Sequence, residues 1–250
     1  MAFVAADAYD RYMGRYSAPL APLLADFARV ESGQRVLDVG CGTGALTTEL
    51  VRRLGPADVT AVDPSEPFVA AVVERFPGVA AHRAPAEELP FPDASFDAAL
   101  AQLVVHFMAD PVAGIREMGR VTRPGGGVAA CVWDFTGGSP LDVFWAAAQA
   151  LDPQVEGEAH LAGAREGHLA ALFEQAELRE VEDGALTISV EHATFEDWWE
   201  PFTLGVGPGG VYVAGLASEG VERLREECRR RLPDPPFVLT GVAWAARGTA

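Results

Sequence analysis

Short apolar runs alternate with amphipathic stretches through the middle of the chain, from residue 35 to residue 134. Each run is typical of a buried strand, and each amphipathic stretch repeats its apolar residues at helical spacing. The pattern predicts strands at RVLDVG, DVTAVD, VAAHRA, FDAALAQ and VAACVWD, with helices after the first, second and fourth. Strands and helices that alternate at this interval form parallel βαβ units with right-handed crossovers. This part of the chain therefore predicts an open, mostly parallel sheet.

After residue 134, predicted strands and helices no longer alternate regularly. Helical patterns at SPLDVFWAAAQALD, AREGHLAALFEQAEL and VERLREECRRRL are combined with strand-like runs at GALTISVEHA and FVLTGVAWAARG. We predict that RPGGG forms a helix-to-strand turn and that GVGPGG breaks regular structure, as a lid hinge or a plain surface loop. The fold class is α/β: a Rossmann-like doubly wound sheet, mostly parallel with an antiparallel last strand, and helical cap elements. One domain covers residues 1–250, with an N-terminal helical cap (1–30), a core (31–135) and a C-terminal part with inserted cap helices (136–250).

Bulk composition narrows the classes of function. Apolar residues make up 49% of the 250 residues, enough for a sizeable core. Thirty-six acidic residues against 19 basic ones give a net charge of −17, which disfavours a nucleic-acid partner because a phosphate backbone is repelled. No signal peptide and no apolar run of membrane-spanning length is found, and three dispersed cysteines predict neither a disulfide framework nor a metal site. We expect a cytoplasmic protein without a membrane partner.

Ligands of parallel α/β sheets bind outside the carboxyl ends of the strands, so four segments should line one crevice. These segments are 38–44, 63–65, 84–87 and 102–106. Gly40 and Gly42 allow a sharp turn and a close approach of the backbone, and Asp63 ends the second strand where a carboxylate can accept hydrogen bonds from ribose hydroxyls. Gly40, Gly42 and Ala45 also match the G-x-G-x-x-A form of the dinucleotide-binding fingerprint. These features indicate a nucleoside-containing cofactor, and an NAD(P)-dependent oxidoreductase is one alternative function.

Asp38 favours a cationic cofactor over a nicotinamide dinucleotide, because a carboxylate is unfavourable beside a pyrophosphate and suits a cationic group. The sequence LDVGCGTG, followed by VTAVDPS, APAEELPFPDASFDAAL and RVTRPGG, resembles the class I S-adenosylmethionine-dependent methyltransferases that act on small molecules. The resemblance implies S-adenosylmethionine as cofactor, a small-molecule methyl acceptor as partner and no metal. The resemblance implies that the methionine part of the cofactor contacts Asp38, Gly40, Cys41 and Gly42. It places the ribose at Asp63 and the reactive methyl end at Gln102. The adenine would contact Pro64, Ser65, Ala86 and Glu87.

Some positions keep two interpretations. Pro85 stands where these enzymes often have Asp, which shifts adenine recognition to Glu87, the backbone or water. His106 follows the fourth strand and is either a general base or a packing residue. Arg15 and Tyr16 either reach the cofactor carboxylate or lie elsewhere on the surface. An aromatic set is either an acceptor pocket or core: Phe144, Trp145, Trp198, Trp199 and Phe202. A methyltransferase-like scaffold that binds the cofactor without transfer is a further alternative, and the oligomeric state cannot be read.

Overall fold

A seven-stranded sheet organises the chain in the computed structural model, which describes residues 8–250. The strand order is β3-β2-β1-β4-β5-β7-β6. The strands are β1 (Val36–Val39), β2 (Val59–Asp63), β3 (Ala80–Arg83), β4 (Phe96–Gln102), β5 (Thr122–Trp133), β6 (Arg179–His192) and β7 (Phe237–Thr249). Residues 1–7 of the predicted N-terminal cap lie outside the described residues.

The first five strands run parallel and the last two run antiparallel to their neighbours. Val36 of β1 pairs with Val59 on one side and Ala98 on the other, both in parallel register. β7 lies antiparallel between β5 and β6, with Cys131 opposite Ala245. β1 is buried along its whole length, which explains why its sequence is continuously apolar except for Asp38. The predicted doubly wound sheet with an antiparallel last strand is confirmed.

Helices cover both faces of this sheet. A π-helical turn, Asp10–Gly14, leads into α1. The helices are α1 (Arg15–Phe27), α2 (Ala45–Leu54), α3 (Glu66–Arg75), α4 (Pro111–Val121), α5 (Asp142–Leu151), α6 (His168–Gln175), α7 (Phe195–Trp199), α8 (Gly207–Ala214) and α9 (Ser218–Arg231). Local signals fix several boundaries: Asp110 caps α4 by accepting a hydrogen bond from the backbone N–H of Ala113, and Gly55 ends α2.

The RPGGG segment was predicted as a turn, and this prediction is wrong. It belongs to β5, which is a single strand from Thr122 to Trp133. Thr122 pairs with Phe96, and the next pair along is Ala98 with Gly127, so the extra residues of β5 form a bulge. Gly125 has φ +80°, a conformation that glycine adopts without strain. The glycines therefore allow the strand to bend without ending it.

The prediction that GVGPGG breaks regular structure is also wrong over most of its length. Helix α8 begins at Gly207, and Pro208 occupies its first turn, where a missing N–H costs nothing. A Cβ on Gly209 would lie 3.0 Å from the Tyr12 hydroxyl and 3.1 Å from the Phe202 ring. Glycine at this position therefore lets α8 pack closely on the π-helical turn. Only Gly205 and Val206 remain outside regular structure.

Within residues 8–250, no helix combines the length and apolarity that a bilayer crossing requires. Cys41, Cys131 and Cys228 are buried free thiols.

Candidate functional site

A cavity of about 280 Å³ lies where β1, β2 and β4 end. This volume is close to the lower limit of the roughly 300–1,000 Å³ typical of small-molecule sites. Eight of the ten residues predicted to contact the cofactor line it: Asp38, Gly40, Cys41, Gly42, Asp63, Pro64, Ser65 and Gln102. The sheet topology thus brings together residues from three separate strand ends.

The glycine loop between β1 and α2 forms one wall. The backbone N–H groups of Gly40 and Cys41 donate to the carbonyl of Val62, at 2.8 and 2.9 Å, and thereby fix the loop to β2. Gly40 has φ +70°, and a Cβ there would lie 2.5 Å from the Val104 side chain. Gly42 has φ +52° with open space where its Cβ would be. The loop can therefore approach a ligand closely only with glycine at both positions.

Asp63 links the loop to the end of β2. One carboxylate oxygen accepts a hydrogen bond from the Gly42 N–H at 2.9 Å, and the other accepts from the Ser65 N–H at 2.8 Å. Burial raises the pKa of this carboxyl group, and the two backbone donors oppose the rise. Each oxygen keeps a second lone pair that can accept a hydrogen bond from a ligand hydroxyl.

Two further polar groups are buried in the floor. Asp38 is only 1% exposed, its carboxylate accepts a hydrogen bond from Thr47 Oγ1 at 2.6 Å, and burial raises its pKa to about 7. Gln102 donates from Nε2 to the carbonyl of Ser17 at 3.0 Å, while its Oε1 is buried without a hydrogen-bond partner. An unpaired acceptor beside a buried carboxyl group favours a ligand with N–H donors or positive charge.

The charge of the lining supports the same conclusion. Among the described residues that line the cavity, Asp38 and Asp63 supply two carboxyl groups, and there is no Lys, Arg or His. A dinucleotide pyrophosphate carries two negative charges and would face these carboxylates without a compensating cation. The cavity therefore suits a cationic or neutral nucleoside ligand.

Ala86 and Glu87 lie outside the lining. The Glu87 carboxylate accepts hydrogen bonds from the backbone N–H groups of Ala109 and Asp110, at 2.7 and 3.2 Å. It thus holds the segment before α4, and the predicted role of both residues in adenine recognition stays a prediction.

The N-terminal turn contributes Tyr9 and Gly14 to the lining of the cavity, and the sequence did not indicate the contacts that hold this turn in place. Tyr9 lies against Phe68, with ring centroids 5.4 Å apart. Asp10 accepts hydrogen bonds from Thr43 Oγ1 and from the Arg75 guanidinium, which also donates to the carbonyl of Thr43 at 2.8 Å. These partners are far apart in sequence, so no local pattern could reveal the contact.

Arg15 and Tyr16, also in the N-terminal part, do not reach the cavity. Arg15 forms an ion pair with Asp197, and the Tyr16 hydroxyl lies 3.2 Å from Nε2 of His192.

A second cavity, of about 30 Å³, adjoins the first through three shared residues, Tyr9, Leu103 and Phe107. Its other lining residues are Tyr12, Met13, His106, Trp133, Phe135, Leu141, Glu158, Gly207 and Pro208. His106 therefore lies in the neighbouring cavity and not in the first one. Burial lowers its pKa to about 3, so the imidazole is neutral near pH 7, and its Nδ1 has no hydrogen-bond partner.

Comparison with known proteins identifies the domain. The family model described as a methyltransferase domain matches residues 37–130. A stretch of 130 residues is 42% identical to an uncharacterized methyltransferase of Mycobacterium tuberculosis and covers 52% of this chain and 50% of that protein. Residues 37–130 of this chain therefore match the methyltransferase-domain family. It spans about half the length of the curated relatives that it matches.

Two other relatives of this methyltransferase domain are informative. The demethylmenaquinone methyltransferase of Beutenbergia cavernae is 35% identical over 113 residues, which are 45% of this chain and 46% of that one. The fold matches a Haemonchus contortus phosphoethanolamine N-methyltransferase, solved with S-adenosylhomocysteine, at a TM-score of 0.61 and 17% identity over 98% of this chain and 57% of that chain. Of the two cofactors left open by the glycine pattern, S-adenosylmethionine is the one supported.

The lining of the first cavity fits this cofactor chemically. S-adenosylmethionine carries a sulfonium and an ammonium group, which suit Asp38 and the unpaired Gln102 Oε1. Its ribose offers two hydroxyl groups, which suit the free lone pairs of Asp63. The open space before Gly42 leaves room for the ligand against the backbone of the methyltransferase domain.

The five aromatic residues of the C-terminal part that kept two interpretations belong to the hydrophobic core. None of the five lines either cavity. The rings of Phe144 and Phe202 stack with centroids 4.4 Å apart, and Trp198 lies 4.9 Å from Phe202. The cluster packs against α8, where the ring centroid of Phe144 lies 6.1 Å from that of Tyr212.

Proposed function

We propose that this protein transfers a methyl group from S-adenosylmethionine to a small-molecule acceptor that binds in the second cavity. The observation that carries the proposal is that the two cavities are adjacent and share three lining residues, Tyr9, Leu103 and Phe107. A methyl donor in the first cavity would face an acceptor in the second across these side chains, without crossing bulk water.

When bound, S-adenosylmethionine would supply a methyl group activated by the sulfonium, and the carbon–sulfur electron pair would stay on sulfur as the acceptor takes the methyl group. Asp38 and Gln102 would hold the charged amino-acid end, and Asp63 the ribose hydroxyls. Gly40, Cys41 and Gly42 would lie along the methionine part, and Pro64 with Ser65 beside the adenine. All of these positions except the exposed Pro64 are buried or partly buried at strand ends, where packing restricts their motion.

The chain's contribution to rate would be positioning and exclusion of water. Well-oriented reactants gain on the order of 7–11 kcal/mol from proximity alone. Tyr9, Leu103 and Phe107 line both cavities, so the reacting atoms would meet in a largely apolar environment.

A small acceptor is also consistent with the charge and with the relatives. The net charge of −17 is unfavourable for nucleic acid. A relative is named a demethylmenaquinone methyltransferase, and its acceptor is a small molecule by that name.

Transfer of radiolabel from methyl-labelled S-adenosylmethionine into a metabolite extract tests this function. The expected result is a labelled small molecule that the wild-type protein forms and that Asp63→Ala forms at a far lower rate. Cofactor binding without any labelled product in extracts of several sources would favour the scaffold alternative, in which the fold binds the cofactor without transfer.

A further inference from the structure

Unpaired buried polar atoms are concentrated around the two cavities. Among the described residues, six side chains hold a buried nitrogen or oxygen without a hydrogen-bond partner: Tyr12, Gln102, His106, Trp133, Trp198 and Trp244. Gln102 lines the first cavity, and three others line the second. An unmet buried polar group costs about 1–3 kcal/mol, so three in one small cavity suggest that a ligand supplies their partners.

The chemistry of these three groups is specific. The Trp133 indole N–H can only donate a hydrogen bond, so it needs an acceptor oxygen on the ligand. The His106 imidazole is neutral, and its Nδ1 can accept a hydrogen bond from a ligand hydroxyl in the appropriate tautomer. The Tyr12 hydroxyl, beside Gly209, can do either. The cavity therefore offers one donor and at least one acceptor to the same ligand.

Flat apolar groups make up most of the remaining wall. Rings of Tyr9, Phe107 and Phe135 line the cavity, and within residues 8–250 no Lys or Arg contributes to its lining. Glu158 is the one carboxyl group there; it accepts a hydrogen bond from Trp145 Nε1 at 2.8 Å, and burial raises its pKa. A carboxylate ligand would find no cation, and aromatic walls favour an aromatic ligand.

We infer that the methyl acceptor is a hydroxylated aromatic molecule, a phenol, whose hydroxyl donates to His106 Nδ1 while the Trp133 N–H donates to a second oxygen on the ring. This inference rests on the proposed function and names its substrate class.

The proton balance of such a transfer is favourable at His106. As the phenol oxygen bonds to the methyl carbon, its O–H bond breaks and the proton moves to Nδ1 of His106. Positive charge leaves sulfur in the same step, so the total charge of the buried site does not change. The imidazole therefore becomes a cation only when the neighbouring cation has been neutralised, which offsets the cost of charging a buried base.

Entry of a ring needs more room than about 30 Å³. Gly207 and Pro208, at the start of α8, form part of the wall, and Gly205 and Gly207 both have positive φ. A shift of this segment away from Tyr12 would enlarge the cavity without breaking the sheet.

Catechol is a suitable probe, since one of its hydroxyls can donate to His106 while the other accepts from Trp133. We would titrate it calorimetrically into the protein saturated with S-adenosylhomocysteine, with benzoate and benzylamine as single-ring controls. We expect catechol to bind at least tenfold more tightly than either control. Trp133→Phe should weaken catechol about five- to twentyfold, and Trp244→Phe, which removes an unpaired indole N–H outside both cavities, should leave it unchanged.

A second readout concerns His106 itself. We expect His106→Phe to bind S-adenosylhomocysteine normally but to lose most methylation of catechol. Equal effects of Trp133→Phe and Trp244→Phe, or preferred binding of benzoate or benzylamine, would overturn the inference and leave the proposed function intact. Failure of S-adenosylhomocysteine to bind at all would overturn both.

Discussion

The carboxylate of Asp63 accepts a hydrogen bond from the backbone N–H of Gly42 at 2.9 Å, so the end of β2 holds the glycine loop directly. The same carboxylate accepts from the Ser65 N–H. Asp63 therefore has two consequences for binding: it shapes the loop, and it offers its remaining lone pairs to the ribose hydroxyls.

Replacement of Asp63 should affect the cofactor more than the fold. Hydrogen bonds to a charged group contribute about 1.5–3 kcal/mol each, so we expect Asp63→Ala to weaken S-adenosylmethionine about 100-fold in calorimetry. Asp63→Asn should be nearly as harmful, because its NH₂ group would face a backbone N–H. An Asn variant with wild-type affinity would show that the carboxylate is not a ligand.

Asp38 should couple binding to pH. Its pKa is raised to about 7 by burial, so at pH 6 the group is largely protonated in the free protein. A cationic ligand favours the carboxylate and should release close to one proton per site at pH 6. Affinity should then rise from pH 6 to pH 8. Calorimetry in buffers with different ionisation enthalpies measures the release, and Asp38→Asn should abolish it; proton uptake would contradict the assignment.

The same pKa has a consequence for stability. The pKa of Asp38 is higher in the folded protein than in the unfolded chain, so its contribution to stability is fully present below the pKa that it has when unfolded. That contribution is lost as the pH rises through about 7. Asn cannot ionise and still accepts from Thr47. We therefore expect Asp38→Asn to raise the Tm of the ligand-free protein more at pH 8 than at pH 5. An equal change at both values would mean that Asp38 does not titrate in this range.

The contact of Asp10 with Arg75 and Thr43 should slow cofactor exchange. Both side chains of the ion pair are partly exposed, so its contribution to stability is modest, at most about 1 kcal/mol. Since it fixes the N-terminal turn over the cavity, Arg75→Met should speed dissociation of S-adenosylhomocysteine several-fold in stopped-flow experiments. Arg230→Met, which breaks an exposed pair with Glu227 on α9, is the matched control and should leave dissociation unchanged, because neither residue lines the first cavity.

The parallel core could be predicted from the sequence because its signals are local. Each buried strand is an apolar run, and the glycine loop and Asp63 stand at strand ends that the topology must bring together. The prediction was wrong at RPGGG and GVGPGG for one reason. Judged from local sequence alone, glycine and proline favour a break in regular structure. In the folded protein, the residues of RPGGG form a bulge in β5, and the glycines of GVGPGG allow close contact between α8 and Tyr12.

The second cavity could not be predicted from the sequence, for a different reason. Its walls come from the N-terminal turn, the end of β4, the end of β5 and the start of α8, which are distant in the chain. Aromatic residues at Phe144 and Trp198 looked equally suitable for a pocket. Only packing distinguishes Trp133, which lines the cavity, from Trp198, which lies in the core.

Calorimetric titration of the wild-type protein with S-adenosylmethionine, S-adenosylhomocysteine and NAD tests the central claim most directly. We predict one site per chain with micromolar affinity for the two adenosyl compounds and no binding of NAD, whose pyrophosphate would face Asp38 and Asp63. Binding of NAD in the same range, or no binding of either adenosyl compound, would contradict the assignment of the first cavity.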